Sequence, residues 1–587
     1  MRKAVTIFIL LASNLSAISQ YYLRGDIKDE RNEPLQNVKI MVHSSNLMYY
    51  SGVSGGFGIN SKNLRDSITL TLPGFEKLEL AVRCDVYQTI TLKAAAGVIK
   101  IPKQKRLVSQ TKDLDVQTQT NWSFGNESYN SLIENEFIHT KEYPNTGFAV
   151  RIDKAAYSNI RRFINSESPV PKDAVRIEEM LNYFNFNYKE PNDKDVFRIE
   201  SKISDCPWNP SNELLFLNIN ARKINLKNVP ASNFVFLVDI SGSMDMPKKL
   251  PLLKESFQLL VKNLRDTDKV SIVTYGGSVS VWLQPTRGSE KQKIIRSIEQ
   301  LVASGDTPGE AGIRTAYSVA KSVFIEGGNN RIILASDGDF NVGITSDKEL
   351  EVLVSKEKQS GIKLTCLGVG MGNYKDSKME GLAKMGNGNF AYLDDLREAE
   401  KFLVKEFTQS LYSVANDVFL DVSFKPSAVK EYRLIGYDNK EDVLSERTSE
   451  LEGGEVGSGN STTALFEIKP VDSLHSDLQS DFAKISLRYK LPLDSIEKTI
   501  DYKCINNYVP FTILDSCLKF ASSVAMFGLL LRESKYVHYN QWDHVTDVAA
   551  SALDPNNFLE VQFVEIVDKA KDIYLHRKKL KKRKMND

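Results

Sequence analysis

Between Phe234 and about Ser410 the chain sets short, nearly unbroken apolar runs, "FVFLV", "VSIVTY", "RIILAS", "KLTCLGV" and "FAYL", between longer stretches with apolar residues at helical spacing. A strand without a polar face needs cover on both sides. A parallel sheet under two layers of helices supplies that cover, whereas a half-solvated antiparallel sheet does not. Leu250, Leu253, Phe257, Leu260 and Leu264 mark one covering helix, and Ile294, Ile298 and Leu301 another. Ser346 with Glu349 reads as a capping box ahead of "LEVLV". The pattern predicts a doubly wound, mostly parallel, Rossmann-like α/β domain over residues 231–412.

Such sheets collect ligands beyond the carboxyl ends of their strands, where the loops diverge and leave a crevice. Three polar clusters fall there. Asp239, Ser241 and Ser243 follow the first strand, Thr307 lies in "ASGDTPGEAG" just before a helix beginning near Gly312, and Asp337 follows "RIILAS". Each cluster alone reads as an ordinary helix cap, but their occurrence in order reads as one set. All five side chains end in hard oxygen, which suits magnesium first, with manganese or calcium as alternatives, and not zinc or copper. Gly242 and Gly338 allow tight backbone turns beside such an ion.

"DISGSMD", "GDTPGEAGI" and "SDGDFNVG" resemble the metal-ion-dependent adhesion site (MIDAS) of the von Willebrand factor type A (VWA) domain, whose pattern is Asp-x-Ser-x-Ser, a distant Thr and a distant Asp. "KLPLLKESFQLLV", "DKVSIVTYGG" and "GNGNFAYLDDLREAEKFL", with the flank "DKAAYSNIRRFIN", are similar to a bacterial exported subgroup of that family, over roughly residues 130–575. The resemblance implies that Ser241 and Ser243 ligate an ion directly, Thr307 directly or through water, and Asp239 and Asp337 mainly through water. It also implies small coupled shifts of the metal loops and of the last helix, about Leu396 to Ser410. Asp306 departs from the family, which more often has a small neutral residue before the threonine. Its first reading is a solvated loop acid; with Glu310 and Asp339 nearby, the lesser reading is a deeper negative field or help for a second cation.

Neutral hydroxyls leave a divalent ion incompletely neutralised, so an open coordination position attracts an outside carboxylate. The expected partner is therefore a protein presenting Asp or Glu, with no small-molecule substrate. Catalysis is not expected. A magnesium phosphohydrolase would place a second Asp where Ser241 stands, no Gly-Lys-Ser/Thr follows a Gly-rich turn, and His538 and His544 lack the metalloprotease spacing. No base adjoins Ser241 or Ser243 in the motif. The alternative function is a non-catalytic envelope scaffold in which the ion only stiffens loops.

The remaining residues place this domain in a larger, exported chain of several domains. The chain has 587 residues, too many for one core, and its formal net charge of +1 gives no field for nucleic acid. "MRKAVTIFILLASNLSAIS" has the basic, apolar and small-residue order of a cleaved signal peptide, residues 1–19. Residues 20–103 alternate short strands with turns and, through "GDIKDERNEPLQNVKIMV" and "SGVSGGFGI", resemble the carboxypeptidase regulatory-like β-sandwich. A polar linker is expected over 104–129, a helical and β flank over 130–230, a second β flank over 413–500, and a helical region with a basic tail over 501–587. Strands on both sides of the α/β domain suggest one β-sandwich with that domain inserted. The tail reads as a solvated helix end, with anionic lipid as the lesser reading. "FASSVAMFGLLL" is too short to span a bilayer and reads as a core helix. Five scattered cysteines read as buried thiols rather than a disulfide framework.

Overall fold

The structure, a computed structural model, describes residues 21–94, 106–109 and 127–586, apart from single residues and short segments that include 305–308, 339–346, 444–452 and 472–479. The expected signal peptide, Thr307, Asp306, Asp339 and Ser346 lie outside the described residues. The described residues fall into two compact units, one before and one after residue 103.

The first unit has seven strands and, among its described residues, no helix. Three strands (Gly56–Ser61, Tyr21–Asp29, Gln88–Leu92) form one sheet and four (Leu47–Tyr50, Lys39–Val42, Arg65–Thr71, Leu78–Arg83) form another. Alternation sends Leu23 and Ile27 of one sheet, and Ile40, Val42, Ile68 and Leu70 of the other, into a shared core.

In the second unit, the α/β sheet runs in the order Ser278–Arg287, Lys269–Gly276, Ser232–Asp239, Asn329–Ser336, Lys363–Val369, Phe390–Leu393. All neighbours are parallel except the first pair. Every residue of Ser232–Asp239 is buried. The pleat explains why the run Phe234–Val238 must be apolar throughout: Phe234, Phe236 and Val238 point into the core under helix Leu250–Asn263, while Val235 and Leu237 point into the opposite core under helix Gly309–Ser322. Ser278–Arg287 is a sixth strand that the apolar runs did not announce. Its exposed Ser278, Ser280 and Trp282 alternate with more buried residues, as a solvated antiparallel edge requires.

Strands from before and after the α/β domain share sheets. Phe197–Asp205 and Glu213–Ala221 continue into Ser461–Pro470 and Val429–Ile435, with Ile138–His139 at the edge. Asn145–Ala149 pairs with Ser413–Phe424, followed by Asp481–Lys490 and Glu497–Ile505. Leu215, Leu217 and Phe466 of the first sheet meet Leu420, Val422 and Ile485 of the second in one core. Within the stretch expected to be a linker, Arg106–Ser109 is a strand, paired with Asn145–Ala149 and Lys440–Val443. Its four residues carry no apolar run long enough to signal a strand, and its position is set by the two long-range partners.

Helices Ala155–Asn165, Ile177–Tyr183, Ser516–Leu531, Trp542–Ala552 and Phe558–Asn586 build a further core. Every residue from Phe520 to Leu531 is buried, which explains an apolar helix without a polar face. Among the described residues no helix is long and apolar enough to cross a membrane. Cys84, Cys206, Cys366 and Cys504 are buried free thiols, and Cys517 is half-buried.

This helical layer grips the outer end of the α/β sheet. Ser158 Oγ donates to the Tyr392 carbonyl at 2.8 Å, Arg161 Nε donates to Asp394 at 2.8 Å, and Arg176 pairs with Asp376 at 2.6 Å. The α/β domain is thereby fixed to its flanks at the side where its sheet would otherwise end in an open edge.

Candidate metal centre

The strand Ser232–Asp239 stops at Asp239 because the chain must leave the sheet there. Ile240 N–H still donates to the Tyr275 carbonyl at 2.9 Å, and the Ile240 carbonyl accepts from Ser304 N–H at 2.6 Å. Gly276 lies so close that a Cβ would stand 2.7 Å from the Ile240 carbonyl carbon, so only glycine permits this crossing. A short 3₁₀ turn, Gly242–Met244, then presents two serine hydroxyls beside the carboxylate.

Asp239 is fully buried, and both its oxygens are engaged: Oδ1 accepts from Ser241 N–H at 2.9 Å and Oδ2 from Ser336 Oγ at 2.8 Å. Burial pushes its carboxyl up to about 6; the Asp337 charge adds to the rise, and the Ser241 and Ser336 donors oppose it. Burial also pushes the neighbouring Tyr275 hydroxyl well above its ordinary value, with the Asp239 charge next in effect. Ser241 Oγ and Ser243 Oγ stand 3.1 Å apart, and Ser243 Oγ donates to Asp337 Oδ2 at 2.9 Å. Asp337, one residue beyond Asn329–Ser336, is buried; Ser243 alone of the four is exposed. The cluster therefore reaches solvent on the Ser243 side.

Gly338 follows Asp337 at φ +80°, where a Cβ would meet the Lys375 backbone oxygen at 2.9 Å, and Lys375 N–H donates to the Asp337 carbonyl at 3.1 Å. The loop after Lys363–Val369 thus clamps the loop that carries Asp337. Glu310 pairs with Arg314 at 2.8 Å, one turn on along its helix.

The structure brings together Asp239, Ser241, Ser243 and Asp337 out of the five expected residues, across 99 positions of sequence from first to last. Their donor chemistry fits a hard divalent cation: two carboxylates and two hydroxyls, with no nitrogen or sulfur. No group of three or more His, Cys, Asp or Glu that could hold a metal ion occurs among the described residues.

One participant escaped the sequence reading. Lys249, whose side chain is 5% exposed, donates through Nζ to Asp337 Oδ2 at 2.8 Å and to the Ser243 carbonyl at 3.0 Å. A signal was present: Lys248 and Lys249 immediately precede helix Leu250–Asn263, where the helix dipole favours acids over bases. A base at that position needs an anion, and Asp337 is that anion.

Comparison with known proteins bears on the α/β domain and its flanks. The "von Willebrand factor type A domain" model matches residues 233–406, the "von Willebrand factor" model residues 123–216, and the model for the C-terminal region of "Uncharacterized protein YfbK" residues 409–573. YfbK of Escherichia coli (strain K12) is 36% identical over 476 residues, which cover 76% of this chain and 82% of that one. The chain belongs to the YfbK family of VWA-domain proteins. "Inter-alpha-trypsin inhibitor heavy chain H2" of Mus musculus is 29% identical over 28% of this chain and 18% of its own length. Among solved structures, "von Willebrand factor type A from Catenulispora acidiphila" aligns with 14% identity over 63% of this chain and 88% of its own, at a TM-score of 0.37.

Proposed function

We propose that this YfbK-family protein is a metal-dependent protein-binding module displayed outside the cytoplasm, and that it is not an enzyme. Asp239, Ser241, Ser243, Thr307 and Asp337 would hold a divalent cation, magnesium first. When bound, the cation supplies an open coordination position for an Asp or Glu carboxylate of a partner. Asp239, held by Ser241 N–H and Ser336 Oγ, fixes the floor of the site, and exposed Ser243 sets the side from which a partner arrives. The single observation that carries this reading is the convergence of two serine hydroxyls and the Asp337 carboxylate within hydrogen-bond distance at the end of a fully buried strand. The first unit serves as a carboxypeptidase regulatory-like accessory module, and residues 1–19 as the export signal.

The test is capture of the full-length chain on an immobilised acidic peptide. Binding in magnesium, its loss in EDTA, and its loss in a folded Asp239→Ala variant are expected. Binding that persists unchanged in EDTA refutes the reading. A metal-dependent melting shift without any carboxylate-dependent capture would instead favour a scaffold.

A further inference from the structure

We infer that Lys249 is a built-in competitor of the cation: its ammonium and a divalent ion contend for the same Asp337 oxygen, so this lysine sets how much metal the site needs before it fills. The inference deepens the proposed function and rests on that reading.

The geometry is unusual in three respects. Asp337 Oδ2 is shared, accepting from Ser243 Oγ at 2.9 Å and from Lys249 Nζ at 2.8 Å. The ammonium also donates to the Ser243 carbonyl at 3.0 Å, so it sits against the residue that opens the cluster to solvent. Finally, the lysine stem is confined. Gly370, at φ +86°, leaves the space in which Lys249 lies, and a Cβ there would stand 2.5 Å from its Cε. Both the charge and its path to the carboxylate are therefore held by packing, unlike a surface lysine that can swing away.

The electrostatic consequence follows. Without Lys249 the described cluster carries two carboxylates; with it, one of those charges is already balanced. A divalent ion bound against Ser243 and Asp337 lies a few ångströms from a fixed positive charge in a water-poor site, where like charges repel strongly. Loading the site then requires the ammonium to leave Asp337 Oδ2. A lysine with a purely structural role would also pair with Asp337, but its removal would lower stability without strengthening cation binding.

The experiment is magnesium titration of the full-length chain by calorimetry, comparing wild type with Lys249→Met, which keeps an unbranched stem, and Lys249→Arg, which keeps the charge. Lys249→Met is expected to tighten magnesium binding by roughly tenfold or more, and Lys249→Arg to stay within about threefold of wild type. Equal or weaker binding by Lys249→Met, with wild type still binding, overturns the competitor role and leaves the metal reading intact. Absence of binding in both overturns the two together.

If Lys249→Met does not fold, the wild-type chain answers by amine acetylation read by mass spectrometry. Modification of Lys249 is expected to rise in magnesium relative to EDTA, because the displaced ammonium becomes reachable. Unchanged modification, in a protein that binds magnesium, overturns the inference.

Discussion

The Arg331 guanidinium donates to the Glu455 carboxylate at 2.7 Å across the seam between the α/β domain and the flanking sheets, with both side chains at most 1% exposed. Lys363 Nζ joins the same carboxylate at 2.7 Å, and Ser413 Oγ donates to it as well. A buried pair of this kind adds little over an apolar substitute, but removal of one member strands the other charge without water. Glu455→Gln should therefore destabilise the second unit by about 3–5 kcal/mol. Urea unfolding followed by circular dichroism checks it; a loss below about 1 kcal/mol, the size of a surface pair, would show that water reaches the seam.

Acid should act through the same seam. Burial alone would push the Glu455 carboxyl up, but Arg331 and Lys363 outweigh it and hold the group at about 2; Glu406, likewise buried, is held at about 2 by Lys154 and Lys401. Both values lie below the ordinary 4.5, so the unfolded chain binds more protons in the interval between them. The stability these groups contribute is complete above about pH 4.5 and is lost as pH falls toward 2. Melting temperature measured from pH 6 to pH 3 should drop below about pH 4.5, and Glu455→Gln should flatten that limb.

The α/β core was legible because its physics is local. An apolar run such as Phe234–Val238 has one stable environment, and the oxygen residues follow directly from where such a strand must end. Lys249 was not legible as a site residue, because its partner Asp337 lies 88 positions away and only the dipole mismatch at the helix start hinted at it. Strand Arg106–Ser109 was hidden for a related reason: four residues in a polar stretch become a strand only through Asn145–Ala149 and Lys440–Val443. The edge strand Ser278–Arg287 was not legible because a strand of which half faces water carries no buried, unbroken apolar run.

The C-terminal helix should be integral to folding. Phe563, fully buried, meets Tyr157, Phe184, Phe520 and Phe527 with ring centroids 6.2, 5.6, 5.2 and 5.5 Å away. These rings come from segments at both ends of the second unit's sequence, so one side chain ties those two ends together. Phe563→Ala should cost about 3–5 kcal/mol, through the lost burial and the cavity left among rings that cannot close over it. Denaturant titration gives the number, and limited proteolysis should show faster cleavage on both sides of the α/β domain. Cleavage confined to the C-terminal helix would mean that it frays independently.

Gly338→Ala should uncouple metal binding from the fold. At φ +80° a non-glycine residue is strained, and the added methyl would stand 2.9 Å from the Lys375 carbonyl oxygen, a backbone atom that cannot swing aside. The strain is relieved by separating the Asp337 loop from the Lys375 loop, which breaks the Lys375 N–H bond to the Asp337 carbonyl. That movement draws the Asp337 carboxylate away from Ser243, while the sheet beneath keeps its apolar core. A global loss of about 1–3 kcal/mol is expected, together with at least about tenfold weaker magnesium binding by calorimetry, corresponding to about 1.4 kcal/mol. Thermal melts in magnesium and in EDTA should then nearly coincide for Gly338→Ala while remaining separated for wild type, since a ligand stabilises only a fold that binds it. If the variant melts lower but keeps the full magnesium shift, the Asp337 loop tolerates displacement and its carboxylate is not a determinant of the site.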